Sequence, residues 1–156
     1  MALARHFKDL RVYQEAFKAA MKIFELSRKW PIEERHSLTD QVRRSSRAVC
    51  GNIAEAWRKR RYPSHFISKL SDADAEVAET ENWLEFARAC AYLAPKACGE
   101  LIATYEQVSG GLVSMMSDAD AWCGPSQLVR EPAPAYVTNP RPYPHTPTPR
   151  NQRIRL

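Results

Sequence analysis

The stretch Val42-Arg43-Arg44-Ser45-Ser46-Arg47-Ala48-Val49-Cys50-Gly51-Asn52-Ile53-Ala54-Glu55-Ala56-Trp57-Arg58-Lys59-Arg60-Arg61 sorts its side chains by helical angle. At about 100° per residue, Leu38, Val42, Ser45, Val49, Asn52, Ile53 and Ala56 fall on one side of a helix. Arg43, Arg47, Arg58 and Arg61 fall within about 60° of one another on nearly the opposite side. The first face can pack against other helices while the second stays in water, open to a polyanion or an acidic protein surface. Asn52 stands inside the apolar stripe, where an amide needs a hydrogen-bond partner.

Outward from this segment the same alternation of three and four recurs. It links Leu10, Tyr13, Phe17, Ala20, Phe24 and Ser27, and stops at Trp30-Pro31, because proline cannot continue a helix. It links Phe66, Leu70, Ala73, Val77, Thr80, Leu84, Ala87 and Ala91, with Ser64 at the N-cap position. A fourth run starts near Pro95 and passes through Leu101, Tyr105, Val108, Leu112, Met115, Ala119 and Trp122. Gly110-Gly111 interrupts it, marking either a kink or a close approach of another helix. Links at 30–37, 62–64 and 92–95 are short, so consecutive helices run antiparallel. The expected fold class is all-α: an antiparallel up-down-up-down four-helix bundle over 7–122, followed by a disordered Pro-rich tail over 123–156. Eight of the eleven prolines lie in the last 32 residues, and so little apolar surface accompanies them that ordering is not repaid. Within the tail, Pro142-Tyr143-Pro144-His145-Thr146-Pro147 reads as solvated polyproline II or as a ligand for an aromatic-lined groove.

The net charge of +5 conceals a segregation. Residues 1–61 carry 15 cations and 7 anions, residues 62–122 carry 3 and 10, and residues 123–156 carry 5 and 1. Either the first half meets nucleic acid, or the two halves attract each other within a subunit or between copies. Cys50, Cys90, Cys98 and Cys123 show no C-x-x-C spacing and read as small buried apolar residues of a reducing compartment. No run approaches the roughly 18 apolar residues of a membrane span, so a cytoplasmic protein without membrane contact is expected.

Several short elements resemble those of a known family: Phe7-Lys8-Asp9-Leu10; Leu38, Gln41, Arg43 and Arg44; Asn52-Ile53-Ala54-Glu55; Phe66 and Leu70 with Glu79 and Glu81; and Tyr92-Leu93. The chain is similar over roughly 7–122 to the bacterial 23S rRNA intervening-sequence proteins, a group related to the accessory variability proteins of diversity-generating retroelements. Ala48, Cys50 and Ala56 stand where such sequences often carry Ser, Pro and Gly, the mark of a divergent branch. The resemblance implies a left-handed up-down bundle, a ring-like homopentamer, no established enzymatic activity and, for the retroelement members, contact with nucleic acid and a reverse transcriptase.

The candidate nucleic-acid-binding residues are Arg43, Arg44, Arg47, Arg58, Lys59, Arg60 and Arg61, with Tyr62 as a ring for stacking. A solvated helix end favoured by the backbone dipole is the plainer account of the 58–61 run. Asn52, Glu55 and Glu79 are expected to form a structural polar network, with Arg43 or Arg44 as further members. Trp83, Phe86 and Cys90 lie off the main stripe and form either an oligomer interface or part of a wide core. Asp72, Asp74, Glu76, Glu79, Glu81 and Glu85 crowd one segment, yet none of its glutamates is followed three residues later by a histidine, as a carboxylate di-metal bundle requires. Asp72, Glu76 and Glu79 are expected instead to face the basic helix, in the same or an adjacent subunit. The expectation is therefore a non-enzymatic oligomeric bundle with no catalytic residue, metal or cofactor, binding RNA through the basic face. The alternative is a purely protein-binding scaffold, such as a reverse-transcriptase accessory subunit, whose basic helix pairs with the acidic third helix of a neighbour.

Overall fold

A computed structural model describes residues 4–124, so residues 125–156 of the expected tail, with its Pro142–Pro147 segment, lie outside the described residues, while Cys123, expected to open the tail, ends a short helix instead. Four long helices, α1 (Arg11–Ser27), α2 (Leu38–Arg58), α3 (Pro63–Ala89) and α4 (Pro95–Ser117), are followed by a short α5 (Ala119–Cys123). There is no strand among the described residues.

Side-chain pairs give the topology. Ser45 meets Thr80 and Asn52 meets Lys69, so α2 and α3 run in opposite directions. Cys98 reaches the Leu84 carbonyl and Ser109 reaches Asp74, which reverses α4 on α3. Ser27 contacts Arg43, and Val12 contacts Gly111, which place α1 beside both α2 and α4. The four helices close an antiparallel up-down-up-down ring around one core, with α2 and α3 in the most extensive contact.

In α2 the buried side chains are Leu38, Val42, Ser45, Val49, Ile53 and Ala56, joined by Thr39, Ser46 and Trp57. In α3 the stripe Phe66, Leu70, Ala73, Val77, Thr80, Leu84 and Ala87 is buried throughout. Ala91 does not extend it: the helix ends at Ala89, and Ala91 adopts φ +61°, the left-handed cap conformation that glycine usually takes. Pro63, not a residue after Ser64, opens α3, since the first helical position loses nothing by lacking an N–H.

The core of α1 differs from its expected stripe by one step. Val12, Ala16, Ala19, Ile23 and Ser27 are buried, while Tyr13, Ala20 and Phe24 are half-exposed and Phe17 is exposed. Small alanines let α1 sit close to its neighbours, and the aromatic stripe is turned to the side. α4 stays unbroken through Gly110 and Gly111. A β-carbon on Gly111 would lie 2.4 Å from Val12 Cγ1, so this glycine is the seat of a close helix approach rather than a kink.

The link between α1 and α2 is tied to the link between α3 and α4. The Glu34 carboxylate accepts from the Ser37 hydroxyl, from the Leu38 backbone N–H at 3.2 Å and from the Tyr92 hydroxyl at 3.3 Å. These bonds, that of Ser37 first, hold its pKa below the ordinary carboxylate value. Trp30 packs beside Tyr92 with ring centroids 6.2 Å apart.

Candidate nucleic-acid interface

The arginines of α2 divide according to which neighbour they meet. Arg47 and Arg58 are exposed on the outer face, three turns apart, and neither carries an ion pair among the described residues. The helix stops at Arg58, so the 58–61 run is not one helical face. Lys59 and Arg61 are exposed in the turn beyond it, where Tyr62 is 40% exposed with its ring 5.3 Å from His65. Arg60 turns back: its Nε donates to the Trp57 carbonyl at 2.9 Å, and its guanidinium lies 3.4 Å over the Trp57 ring. It caps the helix and covers a core tryptophan, a role that removes it from an open phosphate-binding set.

On the side facing α1, Arg43 is half-buried. Its Nε donates to Ser27 Oγ at 2.8 Å, and its Cζ lies 4.9 Å from the Phe24 ring centroid. Arg28 approaches the same ring at 6.0 Å while pairing with Glu25 at 3.5 Å. Around this contact lie two adjoining hollows of about 410 Å³ each, sharing Arg35, Thr39 and Arg43. Phe24, Trp30, Pro31 and Ile32 line one of them; Asp40, Arg44 and Arg47 line the other.

On the side facing α3 the cations are consumed. Arg44 pairs with Glu79 and, at 3.7 Å, with Glu76, and Glu79 also accepts from Trp83 Nε1 at 3.3 Å. Lys69 is the hub of a second cluster, 2.9 Å from Glu55, 3.5 Å from Asp72 and donating to Asn52 Oδ1 at 3.2 Å. The hydrogen bond from Lys69 lowers the Glu55 pKa. Asn52, Glu55 and Glu79 therefore do not form one network: Asn52 is half-buried at the helix seam, Glu55 is exposed, and Glu79 belongs to the Arg44 cluster. The fully buried polar contact between these helices is Ser45 with Thr80, 2.9 Å apart, with the Glu76 carbonyl 2.8 Å from Thr80 and the Val42 carbonyl 3.3 Å from Ser45. Each hydroxyl has one proton, so the chain ends on a helix carbonyl and leaves neither oxygen unsatisfied.

The remaining acids of α3 sit apart. Asp74 accepts from Ser109 at 2.5 Å, and Glu85 pairs with Arg88 at 2.8 Å. Glu81, half-buried, has its pKa raised by burial and then by Glu106 and Asp74. Trp83 is half-buried, Phe86 is 53% exposed, and their centroids lie 5.9 Å apart. Cys90 beside them is exposed, unlike the buried thiol expected from its helical setting. Burial pushes the Cys50 thiol up to about 11, which makes it a poor nucleophile.

Sequence reasoning missed Arg28, Arg35, Trp30 and Lys69. Trp30-Pro31 was legible only as a stop signal, and Lys69 stands out in retrospect as the lone cation between Tyr62 and Ala87.

The geometry defines a class: a helical bundle with one flank of charge neutralised internally and another lined by arginine and aromatic rings. The chain belongs to the 23S rRNA-intervening sequence protein family, whose model matches residues 8–114. It is also similar to a crystal structure, at 1.70 Å, of a protein of unknown function from the S23 ribosomal protein family of Bacteroides thetaiotaomicron VPI-5482. The two are 25% identical with a TM-score of 0.61, over 68% of this chain and 95% of that one. No curated protein matches. Among the described residues, no helix is long and apolar enough to cross a membrane.

Proposed function

We propose that this protein is a non-enzymatic, cytoplasmic RNA-binding accessory that works as a homo-oligomer. The observation that carries the reading is the contrast around α2: on its α1 side Arg35, Arg43 and Arg47 border a groove with a single lining carboxylate, Asp40, and Arg58 lies exposed further along the outer face. Phosphate contacts need such cations in reach of solvent, with rings nearby for bases. Family membership supports an RNA-related setting without naming a ligand.

The scaffold alternative, in which α2 pairs with α3 of a neighbour, loses much of its complementarity because Glu76 and Glu79 already bind Arg44 and Asp72 already binds Lys69 within one subunit. The exposed Trp83–Phe86–Cys90 surface is the proposed contact between copies, since monomers seldom leave aromatic clusters in water.

Filter binding across a salt series tests the reading. Single-stranded affinity should fall with a log–log slope of about −0.7 for each phosphate engaged. Replacing Arg47, Arg58 and Arg61 together with alanine should reduce that slope by about 2. Absent binding, or affinity indifferent to salt, overturns it.

A further inference from the structure

We infer that the α1–α2 groove selects single-stranded over duplex RNA by seating one unstacked base in its apolar hollow while Arg35, Arg43 and Arg47 hold the flanking phosphates. The inference rests on the RNA-binding reading above and adds how the site chooses among nucleic acids.

The two hollows differ in chemistry yet share a wall. One is lined by Phe24, Trp30, Pro31 and Ile32 with Arg28, the other by Asp40, Arg44 and Arg47, and both border on Arg35 and Arg43. A nucleotide divides in the same way, into a flat, weakly polar ring and an anionic linkage. At about 410 Å³, the apolar hollow falls in the range of about 300–1,000 Å³ that encloses small molecules.

Three details favour a base over another apolar group. Trp30 is only 8% exposed, and its indole N–H is buried with no hydrogen-bond partner among the described residues. Its ring nonetheless forms part of the hollow's lining, which gives a base aromatic surface to lie against. Arg43 is fixed by its bond to Ser27 and its contact with the Phe24 ring, and a fixed guanidinium can serve as a stacking platform for bases. Ile32, at 71% exposure, stands at the lip of the hollow with most of its surface in water, which a seated ring would cover.

A duplex keeps its bases stacked inside and offers this hollow only sugar and phosphate. An acidic peptide satisfies the arginines but brings no ring.

The test compares four probes of matched length, about ten units each: a mixed-sequence single-stranded RNA, its blunt duplex, an abasic strand and polyglutamate. The Trp30 Nε1–H resonance, assigned by its loss in Trp30→Phe, is followed by NMR. The single strand should bind about tenfold more tightly than the duplex or abasic strand and should alone shift the Trp30 signal. Ile32→Ser, which removes apolar surface at the 71% exposed lip without adding charge, should reduce this preference.

Equal affinities for single strand and duplex, with the Trp30 signal unmoved, overturn base seating but leave RNA binding by the basic flank standing. Polyglutamate binding as tightly as the single strand, or no RNA binding at all, overturns both. Should Trp30→Phe fail to fold, Ile32→Ser and the abasic strand still decide the matter.

Discussion

The two flanks of α2 meet similar cations, its own or a neighbouring helix's, and treat them in opposite ways. Toward α3, Arg44 and Lys69 are neutralised by Glu76, Glu79, Glu55 and Asp72. Toward α1, Arg43 meets a hydroxyl and an aromatic ring, and Arg47 faces water. Pairing with carboxylates spends positive charge on holding two helices together. Pairing with Phe24 and Ser27 orients a guanidinium while leaving its charge uncancelled, which is what an anion-binding surface needs.

Charge reversal on each flank should break this contrast most visibly. Arg47→Glu should lower single-stranded RNA affinity by about 30-fold, or roughly 2 kcal/mol, in filter binding, with thermal stability unchanged. Arg44→Glu should leave affinity within about threefold and instead lower the melting temperature, because it faces Glu76 and Glu79 with a like charge. Equal binding losses in the two variants would erase the distinction between flanks.

The next effect concerns the seam beneath the neutralised flank. Thr80→Val deletes the hydroxyl that meets Ser45 and should cost about 1–2 kcal/mol in urea unfolding. In a double-mutant cycle, Ser45→Ala and Thr80→Val should be non-additive, whereas Ser45→Ala and Arg47→Ala should simply add. Arg44→Ala should cost less, at most about 1 kcal/mol, since the arginine side chain is 48% exposed and its pairs are screened by water.

The smallest effect sharpens the comparison from the acidic side. Glu81 has a raised pKa, so its ionisation works against the folded state at neutral pH, and that penalty is absent below its ordinary value of 4.5. Glu81→Gln should therefore raise the melting temperature by about 1–3 °C at pH 7, with the gain vanishing near pH 4.

The legibility of these features in the sequence followed their physical origin. The α3 stripe was readable because Phe66, Leu70, Ala73, Val77, Thr80, Leu84 and Ala87 follow an unbroken alternation of three and four, even with Trp83 and Phe86 on a second face. In α1 two stripes have the same period, and the bulky Tyr13, Phe17 and Phe24 looked more core-like than Val12, Ala16 and Ala19. Side-chain volume misled there, since a close seam prefers small residues. The angular grouping of Arg43, Arg47 and Arg58 followed from helical geometry alone. Their separate fates did not, because Ser27 and Phe24 reach Arg43, and leave Arg47 and Arg58 in water, only through the tertiary fold. Trp30 belongs to a loop whose path has no periodicity to read.

The notch at Gly111 gives α1 and α4 a single register. Sliding α4 by one turn would bring Val108 or Met115, both with bulky side chains, opposite Val12 where now only a hydrogen stands. That keyway leaves α1 and α4 one axial alignment in which the notch and its bolt coincide.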